Sequence, residues 1–159
     1  MTSGKFVGKR FFNLLIFSIY SSLYELIGQE GWSIVWRTGE VAYAQIKQEL
    51  KITEKDPVQV TRKVGKFLEE EGYGSKFIIK ELSKTELIHE IHDGAARPAI
   101  LKLREKFGEN AVLPHFSTSI MFAALKDSCN LRVKIVQLQV APTEIGVTRE
   151  KWVLSRIDD

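Results

Sequence analysis

The chain has 159 residues, 44% of them hydrophobic and 27% charged, ordinary figures for a soluble globular protein, and one domain over residues 1–159 is expected. A net charge of +3, with Lys and Arg interleaved with Glu throughout, gives no basis for nucleic acid as a partner. The single cysteine, Cys129, excludes a disulfide framework within one chain and suits a reducing cytoplasm.

Lys5, Lys9 and Arg10 precede the apolar run Phe11 to Tyr20, which has the outline of a signal peptide. No small-x-small cleavage site follows cleanly, and Asn13, Ser18, Ser21, Ser22 and Glu25 interrupt the run, which is too short and too polar for a membrane span. At about 100° per residue it reads instead as a soluble helix with Phe12, Leu15, Ile16, Ile19, Leu23, Leu26 and Ile27 in one stripe. Phe17, Tyr20 and Tyr24 widen that stripe to about half the circumference or more, against roughly 100° for an ordinary surface helix. Such a helix has two sides to bury, so a homodimer is expected with Phe17, Tyr20 and Tyr24 in or near the contact.

After the break at Gly28 and Gly31, a second helix runs from Glu30 to Leu50, with Trp32, Val35, Trp36, Gly39, Ala42, Tyr43, Ile46 and Leu50 on its apolar face. Gly39 and Ala42 in mid-stripe let another backbone come close. Asp56-Pro57 is a helix N-cap followed by proline at the first helical position. The third helix it opens buries Val60, Val64, Phe67 and Leu68, and Gly72-Tyr73-Gly74 ends it.

Lys76–Ser83 and Glu86–His92 read as a hairpin across Lys84-Thr85. Pro98 opens a helix that Gly108 closes, and Pro114 opens another from His115 to Cys129. Arg132–Val140 and Val147–Ile157 form a second hairpin. Its first strand changes phase at Val136, which fits either a β-bulge near Ile135-Val136 or a strand buried on both faces. The fold class is therefore α+β. N-terminal helices precede a strand-strand-helix-helix-strand-strand unit, giving a four-stranded antiparallel sheet with helices packed on one face.

Val60 to Asp93, with its helix, Glu71-Gly72-Tyr73-Gly74, strand, turn and strand, resembles the vinyl reductase-like domain, also called hydrocarbon-binding. Leu113 to Met121 is similar to the segment that opens that family's last helix, and the strands Val133–Val140 and Lys151–Ile157 to its closing hairpin. The likeness covers residues 10 to 157. The family shares its fold with the small subunits of the TRAPP vesicle-tethering complex and with sensor domains of phenol-responsive activators. Where many members carry cysteines this chain has Pro114-His115-Phe116 and Gln137-Leu138-Gln139, and Lys55 to Val58 lacks the cysteine that carries an acyl chain in one TRAPP subunit.

No enzyme motif is present: Gly72-Tyr73-Gly74 ends a helix rather than opening one, and G-x-S-x-G, metal-binding His-carboxylate and Cys-x-x-Cys patterns are lacking. Neither a cofactor nor a metal is expected. His89 and His92 point to opposite faces of one strand, so with His115 they make a poor ligand set. Cys129 reads as a small buried apolar residue. Two functions remain. The first is a noncatalytic, dimeric sensor or carrier binding a hydrophobic small molecule or acyl chain between helices and sheet. Trp36, Tyr43, His115, Phe116, Met121 and Phe122 would line its site, and small Ala124 would face inward. The second is a scaffold subunit like those of TRAPP, working through surfaces on a protein partner.

Overall fold

Proline, glycine and short polar residues set the boundaries of most elements, and the computed structural model, which describes residues 7–140 and 146–157, places them accordingly. Helix α1 is Lys9–Ile27, α2 Gly31–Leu50, α3 Pro57–Glu70, α4 Arg97–Phe107 and α5 Phe116–Cys129. Strand β1 is Lys76–Ser83, β2 Glu86–His92, β3 Leu131–Val140 and β4 Val147–Arg156, with short 3₁₀ turns at Gly28–Glu30 and Gly108–Asn110. The strands form one antiparallel sheet in the order β1-β2-β4-β3, so the fold is α+β.

Two compact units divide the chain, Met1–Trp32 with Ala95–Pro114, and Ser33–Gly94 with His115–Asp159. The second holds the sheet. The Asp56 carboxylate accepts the Gln59 N–H at 2.9 Å and Pro57 takes the first helical position, so α3 starts with its orphan donors reduced. Val60, Val64 and Leu68 of α3 then join Met121, Ala124 and Leu125 of α5 and Leu87, Trp152 and Leu154 of the sheet in one buried apolar cluster. Gly65 permits this closeness, since a Cβ there would stand 3.1 Å from the Phe77 Cβ. Between Ile135 and Gln137 the β3–β4 register shifts, leaving Val136 unpaired and half exposed. Of the two readings of that strand, the bulge is the correct one.

Helix α2 crosses α5 at Gly39. A Cβ at that position would fall 2.6 Å from the Ser119 Cβ and closer still to the Ser119 carbonyl, so the backbones touch there as the small residue implies. Around that point Tyr43 Oη and Ser128 Oγ lie 2.7 Å apart, Lys126 Nζ bonds Glu40 Oε1 at 2.9 Å, and Lys47 Nζ bonds Asp127 Oδ2 at 2.6 Å.

The first unit is helical. The side of α1 that meets α4 carries Asn13, Ile16, Tyr20 and Ser21, all buried. Phe17, Tyr20 and Tyr24, expected at a subunit contact, lie on this side: the Tyr24 and Phe107 rings are 4.5 Å apart, and Lys106 Nζ sits 5.8 Å from the Phe17 ring. Burial pushes the Tyr20 hydroxyl up to about 12. The face open to solvent carries Phe11, Leu14, Leu15, Ile19 and Leu26 instead. Ser21, placed by periodicity on the polar edge, is inside. By length and composition alone the stretch Lys9–Leu50 contains a window apolar enough to cross a membrane.

Helix α4 starts at Ala96 without a side-chain cap of its own. Asn13 supplies one: its Oδ1 accepts the Ala99 N–H at 3.0 Å while its Nδ2 donates to the Ala95 carbonyl at 2.9 Å. An orphan donor of α4 is thereby satisfied from another helix. Asn13→Ala is expected to destabilise the protein by about 1–2 kcal/mol, the usual worth of a cap plus a buried hydrogen bond. Urea denaturation checks this, and a midpoint equal to that of the unsubstituted protein would remove Asn13 from the account.

Candidate functional site

Two features of the second unit combine groups in ways that plain core packing does not require. The first is a groove of about 560 Å³ along β3, an outer strand of the sheet. Trp36 of α2 and Phe122 and Ala123 of α5 form one wall, and residues 131–135 of β3 the other. The Trp36 and Phe122 rings are nearly parallel, 10° apart in plane with centroids at 5.5 Å, and Phe122 meets Trp152 edge-on at 5.1 Å. The aromatic wall is therefore fixed from behind by a fully buried indole. At the rim Glu40 binds Lys126 at 2.9 Å and Arg37 at 2.8 Å, and these two cations hold its carboxyl below the usual range.

The second feature is a buried carboxylate. Glu150 of β4 is 3% exposed and sits opposite His89 of β2 in the sheet register. Both Glu150 oxygens accept the Thr118 hydroxyl, at 3.1 and 2.9 Å, and Oε2 also accepts the Trp152 indole N–H at 2.8 Å. His89 Nδ1 lies 3.4 Å from Oε2 and His115 Nδ1 3.3 Å from Oε1. Burial works against the charge, but the two imidazoles outweigh it and hold the carboxyl well below the usual carboxylate range. Because a carboxylate only accepts, His89 donates from Nδ1, which leaves its buried Nε2 without a hydrogen-bond partner. Its ring is held between Phe77, at 6.0 Å, and Trp152, at 4.7 Å. This arrangement suits a fixed internal ion site that ties α5 to the sheet.

The expected ligand-binding residues separate. Trp36 and Phe122 come together in the groove. Tyr43 is buried in the core, with its hydroxyl on Ser128. Met121 is fully buried beside Gly65, and Ala124 is buried in the same apolar cluster. Phe116 meets Tyr73 edge-on at 6.2 Å, and His115 turns to Glu150. His92 lies 3.7 Å from Glu90, away from the other two histidines, and no group of three or more metal-ligating side chains occurs among the described residues. Desolvation pushes the Cys129 thiol up to about 11, which leaves it protonated at neutral pH and a poor nucleophile.

Sequence reasoning overlooked Glu150, His89, Thr118 and Trp152 as a set. A signal existed: Glu150, Trp152 and Leu154 alternate on one face of a strand, which places the carboxylate inside with two large apolar residues. No protein-family model matches the chain, and no curated protein matches it significantly.

Proposed function

We propose that the chain is a noncatalytic binding module that takes a hydrophobic small molecule or an acyl chain in the groove beside β3. The observation that carries this reading is the pairing of an accessible volume of about 560 Å³, inside the 300–1,000 Å³ common for ligand pockets, with a rigid Trp36–Phe122 wall and apolar Val133 and Ile135 opposite. The likeness to the hydrocarbon-binding, vinyl reductase-like domain supports it. The guest would lie between α2 and α5 on one side and β3 on the other. As a cytoplasmic sensor or carrier the protein would act as a homodimer, using the open face of α1 with Phe11, Leu15, Ile19 and Leu26.

That same face favours the second reading, a scaffold subunit resembling the TRAPP small subunits. One experiment separates the two. A long-chain fatty acid added at about a hundredfold over Kd should perturb Trp36 fluorescence and raise Tm by roughly 5–10 °C, since binding to the folded state alone contributes about 2.7 kcal/mol. Ala123→Leu, which adds bulk at the groove floor, should abolish both responses. Native mass spectrometry of the same sample reports subunit count and retained ligand. A dimer with no guest and an unchanged melting curve would leave the scaffold reading in its place.

A further inference from the structure

A second pocket, independent of the groove's proposed guest, is lined by three cations and, among the described residues, by no carboxylate. It measures about 640 Å³ and is lined by Lys55 of the α2–α3 loop, Pro57 at the start of α3, Lys84 and Thr85 of the β1–β2 turn, and Ser155 and Arg156 at the end of β4. Cys129, Asn130, Leu131 and Leu154 complete its wall. Elements distant in sequence thus bring like charges to one cavity. Like charges brought to one cavity repel, and an anion placed among them relieves that repulsion.

Several other cations of the second unit are answered. Lys47, Lys63, Lys126 and Lys151 each bond a carboxylate at 2.6 to 2.9 Å. The carboxylates that flank Lys55 are engaged away from it: Glu54 bonds Lys63 at 2.7 Å, and Asp56 accepts the Gln59 N–H. Lys55, Lys84 and Arg156 form no ion pair with a described residue. Two hydroxyls, from Thr85 and Ser155, stand among the cations as neutral donors. Cations and hydroxyls are groups that recognise phosphate oxygens. Leu131, Leu154 and Pro57 add apolar surface for the rest of a small molecule.

We infer that this pocket binds the phosphate group of a small phosphorylated molecule. Lys55, Lys84 and Arg156 neutralise its charge, and Thr85 and Ser155 orient it. All three cations are exposed, so replacing them tests binding without disturbing the core.

The test is calorimetric titration of the whole protein with inorganic pyrophosphate at low ionic strength. The comparison is between unsubstituted protein, the double variant Lys84→Gln with Arg156→Gln, and a charge-matched control, Lys66→Gln with Lys76→Gln, whose lysines lie outside the pocket. One-to-one binding is expected, weakened by at least about tenfold in the first variant, as the loss of two charge-assisted contacts implies, and unchanged in the control. Phosphatidylcholine vesicles with and without phosphatidic acid distinguish the source. Binding to the phosphatidic acid vesicles alone, lost in the Lys84 and Arg156 variant, keeps the phosphate chemistry and assigns it to a lipid headgroup. The inference is overturned if neither probe binds, or if the control loses affinity as much as the pocket variant, which would reduce the effect to net charge.

Discussion

Glu150→Ala is expected to cost about 3–5 kcal/mol of folding stability, the range seen when one partner of a buried ionic cluster is removed. The loss has several parts. The Thr118 hydroxyl and the Trp152 indole N–H lose their acceptor, and His89 and His115 are left in an apolar interior without the carboxylate that orients them. The pH dependence gives a separate check. The folded carboxyl is held below its unfolded value of about 4.3, so its contribution is fully present above that pH. It should fade as the pH drops below about 4.3, by up to about 1.4 kcal/mol per unit, until the folded group also protonates. The variant lacks this component, so the stability gap between the two proteins should narrow on acidification. A gap that stays constant from about pH 6 to about pH 3 would show that Glu150 is not held ionised by its neighbours.

Gly39→Ala tests the α2–α5 crossing. On helix propensity alone this change should stabilise by about 1 kcal/mol. Here the added methyl enters the space of the Ser119 backbone, which cannot turn aside as a side chain would. A net destabilisation of about 2–3 kcal/mol is therefore expected, and more for Gly39→Val. Since Trp36, Ser119 and Phe122 all line the groove, pushing the helices apart should also weaken any guest bound there. Thr38→Ala, on the exposed side of α2, serves as a control and should change stability by no more than about 0.5 kcal/mol. Equal stability of Gly39→Ala and the unsubstituted protein would mean that the two helices do not meet as described.

The parts of the fold that were legible in the sequence are those set by local chemistry. Lys84-Thr85 fixed the first hairpin to the residue, Asp56-Pro57 the start of α3, and Gly108 the end of α4. The phase change at Val136 narrowed that strand to a bulge or a doubly buried strand, and the register shift decides for the bulge. Periodicity failed on α1. Apolar residues cover so much of its circumference that the pattern cannot say which side packs, and the answer came from Asn13, which bonds Ala95 and Ala99 more than eighty residues away. The buried cluster was obscured in a similar way. Thr148-Arg149-Glu150-Lys151 reads as a solvated run, and only the register that sets His89 opposite Glu150 turns it into an internal site. Trp36 and Phe122 could be named from their helices, but their stacking depends on where α2 and α5 cross.

The bond from Asn13 to Ala99 closes a loop of 86 residues, and this has a consequence during synthesis. At roughly 5–20 residues per second, α1 leaves the ribosome roughly 4–17 s before the segment it caps exists. Over that interval both of its apolar sides are open, and the nascent chain offers a greasy helix that begins with Lys9 and Arg10 to whatever waits at the exit tunnel. Chaperones and targeting factors thus compete with α4 for the same surface, and slowing translation between α1 and α4 should lengthen that competition and lower the yield of folded protein.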